Sequence, residues 1–284
     1  MRCSCARATA PHARRSAPCS PDSSRCPLPR LLPSPQPNWR HPVSESLPPV
    51  ASPTSGAARP IALVAGATSG MGLAIALDLA STHDVLAVGR TADAVAELRR
   101  PGIRPFAADL TDADDRARIV AELPAVDVVV HSAAVGQALP IDEADPETWQ
   151  TYLGLNVIAP ADLTRLLLPA LRVSRGTVIF IGSGASTKPV PGSAVYTASK
   201  HALRAFADVL RIDEAAAGLR VATVAPGQTD TPMLRRSHEY SGDPYQPERY
   251  IQPSSVARAV RFVVDAGDDV HLTDVAVRPR TEIR

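Results

Sequence analysis

The sequence predicts an α/β protein, a doubly wound parallel sheet of about seven strands with helices on both faces. Three observations predict it. From residue 60 onward, short apolar runs alternate with helical patterns, as right-handed βαβ units require. The runs are apolar at successive positions, which suits strands covered by helices on both sides. Several close on glycine or another small residue, at the carboxyl edge where sheets of this kind bind ligands.

Residues 1–58 differ in kind. They hold all four cysteines, seven arginines and only Asp22 and Glu45 as acids. No apolar period survives there for more than a few positions, so they read as a disordered Pro/Arg/Ser-rich leader. A secretory signal is excluded by the lack of an apolar run ending in a cleavage site. An organelle transit peptide fits the Arg- and Ser-rich composition but not the prolines, and an initiator at Val43 or Val50 would leave the leader untranslated.

The domain that follows, 59–284, carries 23 bases against 27 acids, a poor match for nucleic acid. It has no cysteine, which excludes thiol catalysis, disulfides and thiolate metal sites; the leader's cysteines lack paired zinc spacings, and no metal is expected. No apolar run approaches the ~20 residues that span a membrane. The expectation is a soluble, cytoplasmic protein acting on a small molecule.

Pro60 to Ala65 reads as the first strand. Gly66-Ala67-Thr68-Ser69-Gly70-Met71-Gly72 follows, then a helix carrying Leu73, Ile75, Leu77 and Leu79. Strand, glycine turn and helix start form a phosphate cradle, in which glycines admit the ligand and the helix N-terminus supplies N–H groups. The spacing is G-x-x-x-G-x-G rather than G-x-G-x-x-G, and an ordinary tight turn is the alternative. Strand two, Val85 to Val88, ends at Gly89-Arg90. An acid here accepts from the ribose of NAD, whereas arginine suits the 2′-phosphate of NADP, so NADP(H) is preferred over NAD(H). A solvated loop charge is the alternative for Arg90.

Residues 91–100 look helical. Ile103 to Ala108 is a third strand interrupted by Pro105, followed by Asp109 and Leu110, with Thr111 or Asp112 capping the next helix. Asp109 is either a ligand contact or a turn acid. Ala125 to His131 is the fourth strand; Ser132-Ala133-Ala134 after it is small enough to lie against a flat ligand, and His131 reads as a satisfied structural histidine. Glu147 to Val173 is a long helix containing Asn156, and Pro160 and Pro169 predict a kink in it. Gly176 to Ile181 is the fifth strand, ending at Gly182-Ser183.

Tyr196 and Lys200 then fall four residues apart on one helix face. An ammonium beside a phenol favours the phenolate, so the pair is able to move a proton near neutral pH. Lys188 and Lys200 are the only lysines among thirty basic residues. A compact charge is wanted at Lys200, and arginine does not supply one.

In this order and spacing, Gly66-x-x-x-Gly70-x-Gly72, Asp109, Asn156, Ser183, Tyr196-x-x-x-Lys200 and Pro226-Gly227 with Thr231 resemble the short-chain dehydrogenase/reductase family, in its single-domain oxidoreductase branch. The resemblance covers residues 60 to about 278. It implies a Rossmann-type fold and hydride transfer between NADP(H) and a carbonyl or secondary alcohol. Tyr196 would be the general acid or base; Lys200 would lower its pKa and hold the nicotinamide ribose. Ser183 would orient the substrate oxygen, and Asn156 would keep a water in a proton relay behind Lys200. The cofactor would be held by Gly66, Thr68, Ser69, Gly70, Met71 and Gly72, by Arg90, by Asp109 and Leu110, and by Ser132 and Ala133. Tyr196 and Lys200, and Pro226, Gly227, Thr229 and Thr231 at the carboxamide end, would complete the set. The helices around 147–173 and 194–217 would pair two-fold in a homodimer or homotetramer.

Departures from the family pattern are Ala65 in place of a threonine and His131-Ser132-Ala133-Ala134 in place of Asn-Asn-Ala-Gly. They predict weaker bracing of the sheet around the cofactor. Specificity is expected from Gln137, Ala185, Val190, Gln228 and residues 233–252, which read as a mobile lid rather than a packed helix. Two other functions compete: a non-catalytic NADP-binding regulator or scaffold, and a sugar-nucleotide epimerase or dehydratase. The first generally loses the tyrosine or lysine, and the second has a G-x-x-G-x-x-G turn and a further substrate domain.

Overall fold

The computed structural model describes residues 58–281; the leader predicted for 1–58 lies, but for its last residue, outside them. Seven parallel strands form one sheet in the order β3-β2-β1-β4-β5-β6-β7: β1 Ile61–Ala65, β2 Asp84–Gly89, β3 Ile103–Ala107, β4 Val128–His131, β5 Thr177–Ile181, β6 Arg220–Pro226 and β7 Asp274–Val277. Alternate residues of each central strand face opposite layers. Ala62, Val64, Val85 and Ala87 pack with Ile75 of α1 (Gly70–Leu79) and Val256 and Val260 of α8 (Pro253–Val264). Leu63, Leu86 and Val129 pack the other way, with Ile119 of α3 (Ala113–Ala121), Leu163 and Leu167 of α5 (Ala159–Ser174), and Leu203 and Ala207 of α6 (Ala194–Asp213). The doubly wound fold is therefore as the sequence predicts.

Because β2 and β3 lie on one side of β1 and β4 on the other, the strand order reverses between β1 and β4. A crevice opens at such a reversal, at the carboxyl ends of the strands. Pro105 is accommodated because β3 is an edge strand with no ladder partner on its outer side.

Three elements differ from expectation. Residues 91–100 yield only a five-residue helix, α2 Ala92–Ala96, before the chain turns into β3. The long helix is interrupted by a π turn, Gly154–Ile158, between α4 (Pro146–Leu153) and α5. Pro160 follows directly, and its missing N–H falls where the i→i−4 ladder is already interrupted. The expected mobile lid contains a helix, α7 Pro232–Ser241, capped by Thr231. Rings of His238, Tyr245 and Tyr250 pack together behind it, centroids 5.0–5.7 Å apart. Among the described residues no helix is long and apolar enough to cross a membrane.

Candidate active site

The glycine turn begins at the reversal. Gly66 has φ +84°, and a methyl group there would lie 2.6 Å from the Ala133 backbone; one at Gly72 would lie 2.0 Å from the Gly66 carbonyl oxygen. The segments after β1 and β4 meet so closely that neither position tolerates a side chain. Ser69 is the N-cap of α1 but its hydroxyl caps nothing, so first-turn amides face the crevice without a side-chain partner. Glycine clearance, uncapped amides and the positive end of a ten-residue helix fit a bound pyrophosphate.

A cleft of about 750 Å³ runs from this turn. Its walls include Gly66, Thr68, Ser69, Gly70, Met71, Gly72, Arg90, Asp109, Leu110, Ser132, Ala133 and Thr231, twelve of the residues expected to hold a cofactor. Arg90 is exposed and has no ion pair among the described residues, so its guanidinium is available to a phosphate. Asp109 proves to be a turn acid as well as a wall: one carboxylate oxygen accepts from both the amide and hydroxyl of Thr111, at 2.9 and 2.7 Å, and these bonds lower its pKa. Asp112, rather than Thr111, caps α3.

Five expected cofactor residues lie outside those walls. Pro226 and Gly227 continue β6 alongside β7, Gly227 donating to the Val277 carbonyl at 2.8 Å. The Thr229 hydroxyl is taken by the Gly227 carbonyl at 3.0 Å, so this turn closes on itself. Tyr196 and Lys200 are not among the walls. Met233, which is, and the Tyr196 ring both approach Gly136: a methyl there would be 2.8 Å from Tyr196 Cε2 and 3.0 Å from Met233 Sδ.

Of the residues expected to handle the proton, Lys200 and Asn156 are buried, whereas Tyr196 and Ser183 are half-buried. Lys200 is 3% exposed and donates to the Ile181 carbonyl at the end of β5, 3.0 Å away. Burial pulls its pKa down to about 8. Burial pushes the Tyr196 phenol up, while the Ser183 hydroxyl pulls it the other way. The expected lowering by Lys200 does not govern here, because desolvation outweighs an ammonium that is directed at a carbonyl. Ser183 caps the short turn Gly184–Ser186, its Oγ accepting from the Ala185 amide at 3.1 Å. That acceptor role leaves its hydroxyl proton free to be donated.

Asn156, 1% exposed, is fully occupied. Its side chain exchanges two 2.9 Å hydrogen bonds with the Val135 backbone and donates to Ser199 Oγ at 2.9 Å. Ser199 in turn donates to the Tyr196 carbonyl at 2.8 Å. The side chain thus braces the segment after β4 against α6, and has no bond to Lys200.

His131 answers the expected loss of bracing. Its Nε2 donates to Thr164 Oγ1 at 2.9 Å, since that hydroxyl donates to the Pro160 carbonyl at 2.7 Å, and its ring stacks on Phe180 at 5.0 Å. Burial lowers its pKa to about 3, so it is neutral and structural. The sheet is braced to α5 instead of within the loops.

One contributor carried no local signal. Arg116 is buried and joins the Leu110 carbonyl at 2.8 Å to Asp162 of α5 at 2.7 Å, which holds the Asp109–Leu110 wall. Arg236 lines the cleft and has no ion pair among the described residues, whereas its neighbour Arg235 is paired with Asp230 at 2.9 Å.

Comparison with known proteins agrees with this geometry. The family model described as short chain dehydrogenase matches residues 60–241. A short-chain type dehydrogenase/reductase of Sinorhizobium fredii is 34% identical over 232 residues, covering 78% of this chain and 92% of that protein. An NADP-dependent 3-hydroxy acid dehydrogenase of Salmonella typhi is 32% identical over 238 residues, covering 78% and 96%. The closed form of a serine dehydrogenase complexed with NADP+ superposes with a TM-score of 0.69 at 26% identity, covering 76% of this chain and 93% of that one.

Proposed function

This chain belongs to the short-chain dehydrogenase family, and we propose that residues 59–284 form an NADP-dependent oxidoreductase domain interconverting a carbonyl and a secondary alcohol. One observation carries the reading: the cleft that runs from the glycine turn reaches Val135 and Met233, and the Tyr196 ring lies against Gly136 beside them.

The glycine turn would hold the pyrophosphate, Arg90 the 2′-phosphate, Asp109 and Leu110 the adenine, and Ser132, Ala133 and Thr231 the remainder. Relatives named for NADP support that choice over NAD. The cofactor, when bound, supplies the hydride. Tyr196 supplies the proton: a phenol whose pKa is raised is fully protonated at neutral pH and donates to a carbonyl oxygen that is becoming an alkoxide. Ser183 donates a hydrogen bond to the same oxygen and keeps its proton. Lys200 holds a positive charge behind the phenolate that forms. In oxidation the same groups act in reverse.

For a homo-oligomer, the support is apolar surface on α5 and α6: Val173 is 88% exposed, Ile212 71% and Val209 56%. Val209→Asp should convert the oligomer to monomer, as read by light scattering. A cytoplasmic location is part of the same proposal.

The test is fluorescence titration of NADPH against NADH, followed by turnover on carbonyl and alcohol panels. NADPH should bind the more tightly, and at least one carbonyl should be reduced. Tight NADPH binding with no turnover across the panels would favour the alternative, a regulator that binds NADP without chemistry.

A further inference from the structure

The segment after β4 is gripped twice from one helix. Asn156 bonds both the amide and the carbonyl of Val135. Four residues earlier on the same helical run, Tyr152 does the same to Gln137: its phenol oxygen accepts from the Gln137 amide at 3.0 Å and its hydroxyl donates to the Gln137 carbonyl at 3.2 Å. Between the two grips lies Gly136, against which the Tyr196 ring and the Met233 thioether both rest. An exposed extended segment would ordinarily exchange these backbone bonds with water. Here one side chain serves each of two alternate residues, and the residue between them is left no freedom to move.

We propose that Tyr152 is a positioning residue for the proton transfer assigned above: with Asn156 it fixes residues 135–137 so that Gly136 backs the Tyr196 ring at the mouth of the cleft. The inference rests on the oxidoreductase reading for its catalytic consequence, but not for the grip itself. Tyr152 is buried, at 8% exposure, while Gln137 is exposed, so the two bonds hold an exposed backbone to a buried side chain. It also lies near enough to Tyr196 for a charge on one phenol to be felt at the other. Positioning matters because misplacing a reacting group by about 1 Å costs on the order of 10²-fold in rate.

The variant Tyr152→Phe keeps the ring and removes both bonds. Amide hydrogen exchange resolved by residue reads the grip without any turnover. Exchange at Gln137 should rise at least about tenfold while Val135, held by Asn156, stays protected. With the preferred cofactor and a reducible carbonyl, kcat should fall roughly 10- to 100-fold, with the dissociation constant for NADPH changed less than about twofold. Gly136→Ala, which pushes on the same ring, should lower kcat too. The double variant should be little worse than the more impaired single one, because both act through one contact. Unchanged Gln137 exchange overturns the grip. Changed exchange with normal kcat, or additive effects in the double variant, overturns the positioning role. If the wild-type protein binds NADPH yet reduces nothing, the oxidoreductase reading falls and the positioning role with it, while exchange at Gln137 still decides the grip.

Discussion

The two ends of the cleft are built from opposite materials. At the phosphate end, under β1 to β3, nearly everything is main chain: glycines stripped of side chains, uncapped amides and a free Arg90 at the rim. At the other end, around β5 and α6, side chains dominate: Asn156, Ser183, Ser199 and Lys200 each have a named partner, while the buried Thr177 and Thr197 hydroxyls have none among the described residues. An anion is bound by leaving donors open, so the first end needs clearance. A proton is moved by groups whose pKa values differ from those in water, so the second needs desolvation, and desolvated polar groups must be paired. The ends meet at residues 132–137, where Ala133 abuts Gly66 and Gly136 abuts Tyr196.

Substitutions that separate chemistry from binding test this contrast most strongly. Tyr196→Phe should lower kcat by about 10² to 10⁴ while leaving NADPH affinity near wild type, measured by turnover and fluorescence titration on the same preparation. Full activity in that variant would remove the tyrosine from the mechanism.

At the other end, Gly66→Ala places a methyl 2.6 Å from backbone at φ +84°. It should destabilise the fold by about 3 kcal/mol and weaken NADPH in parallel, as followed by urea unfolding. A stable variant with normal affinity would contradict the account of the cradle.

Burial of Lys200 makes a signed prediction. Its pKa in the fold is about 8, below the ordinary lysine value of 10.5, so between those values the unfolded chain binds more protons. Stability from this group is therefore complete above about 10.5 and lost as pH falls through about 8. Lys200→Met should be more stable than wild type at pH 7, and the difference should shrink by about 3 kcal/mol as pH rises through that window. A constant difference in unfolding free energy across the range would show that the ammonium is not desolvated.

The smallest effect is expected at the rim. Arg90→Ala should cost NADPH about 10- to 100-fold in affinity, the worth of a charge-assisted bond, and leave NADH nearly unchanged. Equal losses for both cofactors would return Arg90 to the role of a solvated loop charge.

Much of this was legible in the sequence, but unevenly. The phosphate end was read almost residue by residue, because glycine spacing and the first turn of a helix are local matters. Thr229 lies outside the cleft walls, and nothing local reveals that its hydroxyl turns back onto Gly227. The prolines signalled a disturbance in the long helix but not its form, a π turn just before Pro160 that carries Asn156, which bonds Val135 and Ser199 together. A mobile lid was inferred from glycines and prolines in 233–252. That segment holds helix α7 and ring contacts among His238, Tyr245 and Tyr250, whose partners composition does not disclose.

By itself the sequence determined the alternation of strands and helices, the glycine cradle, the rim arginine and the pairing of Tyr196 with Lys200. Each of these depends on residue types a few positions apart. Only the tertiary structure decided that Tyr196 is raised rather than lowered, that His131 is neutral, that Asp109 is tied into its own turn, and that Tyr152 and Arg116 support the cleft. Burial and pairing are set by segments that meet from far along the chain. Arg116 reaches Asp162 across 46 residues and Asn156 reaches Ser199 across 43, and a sequence does not state which of its distant parts will exclude water together.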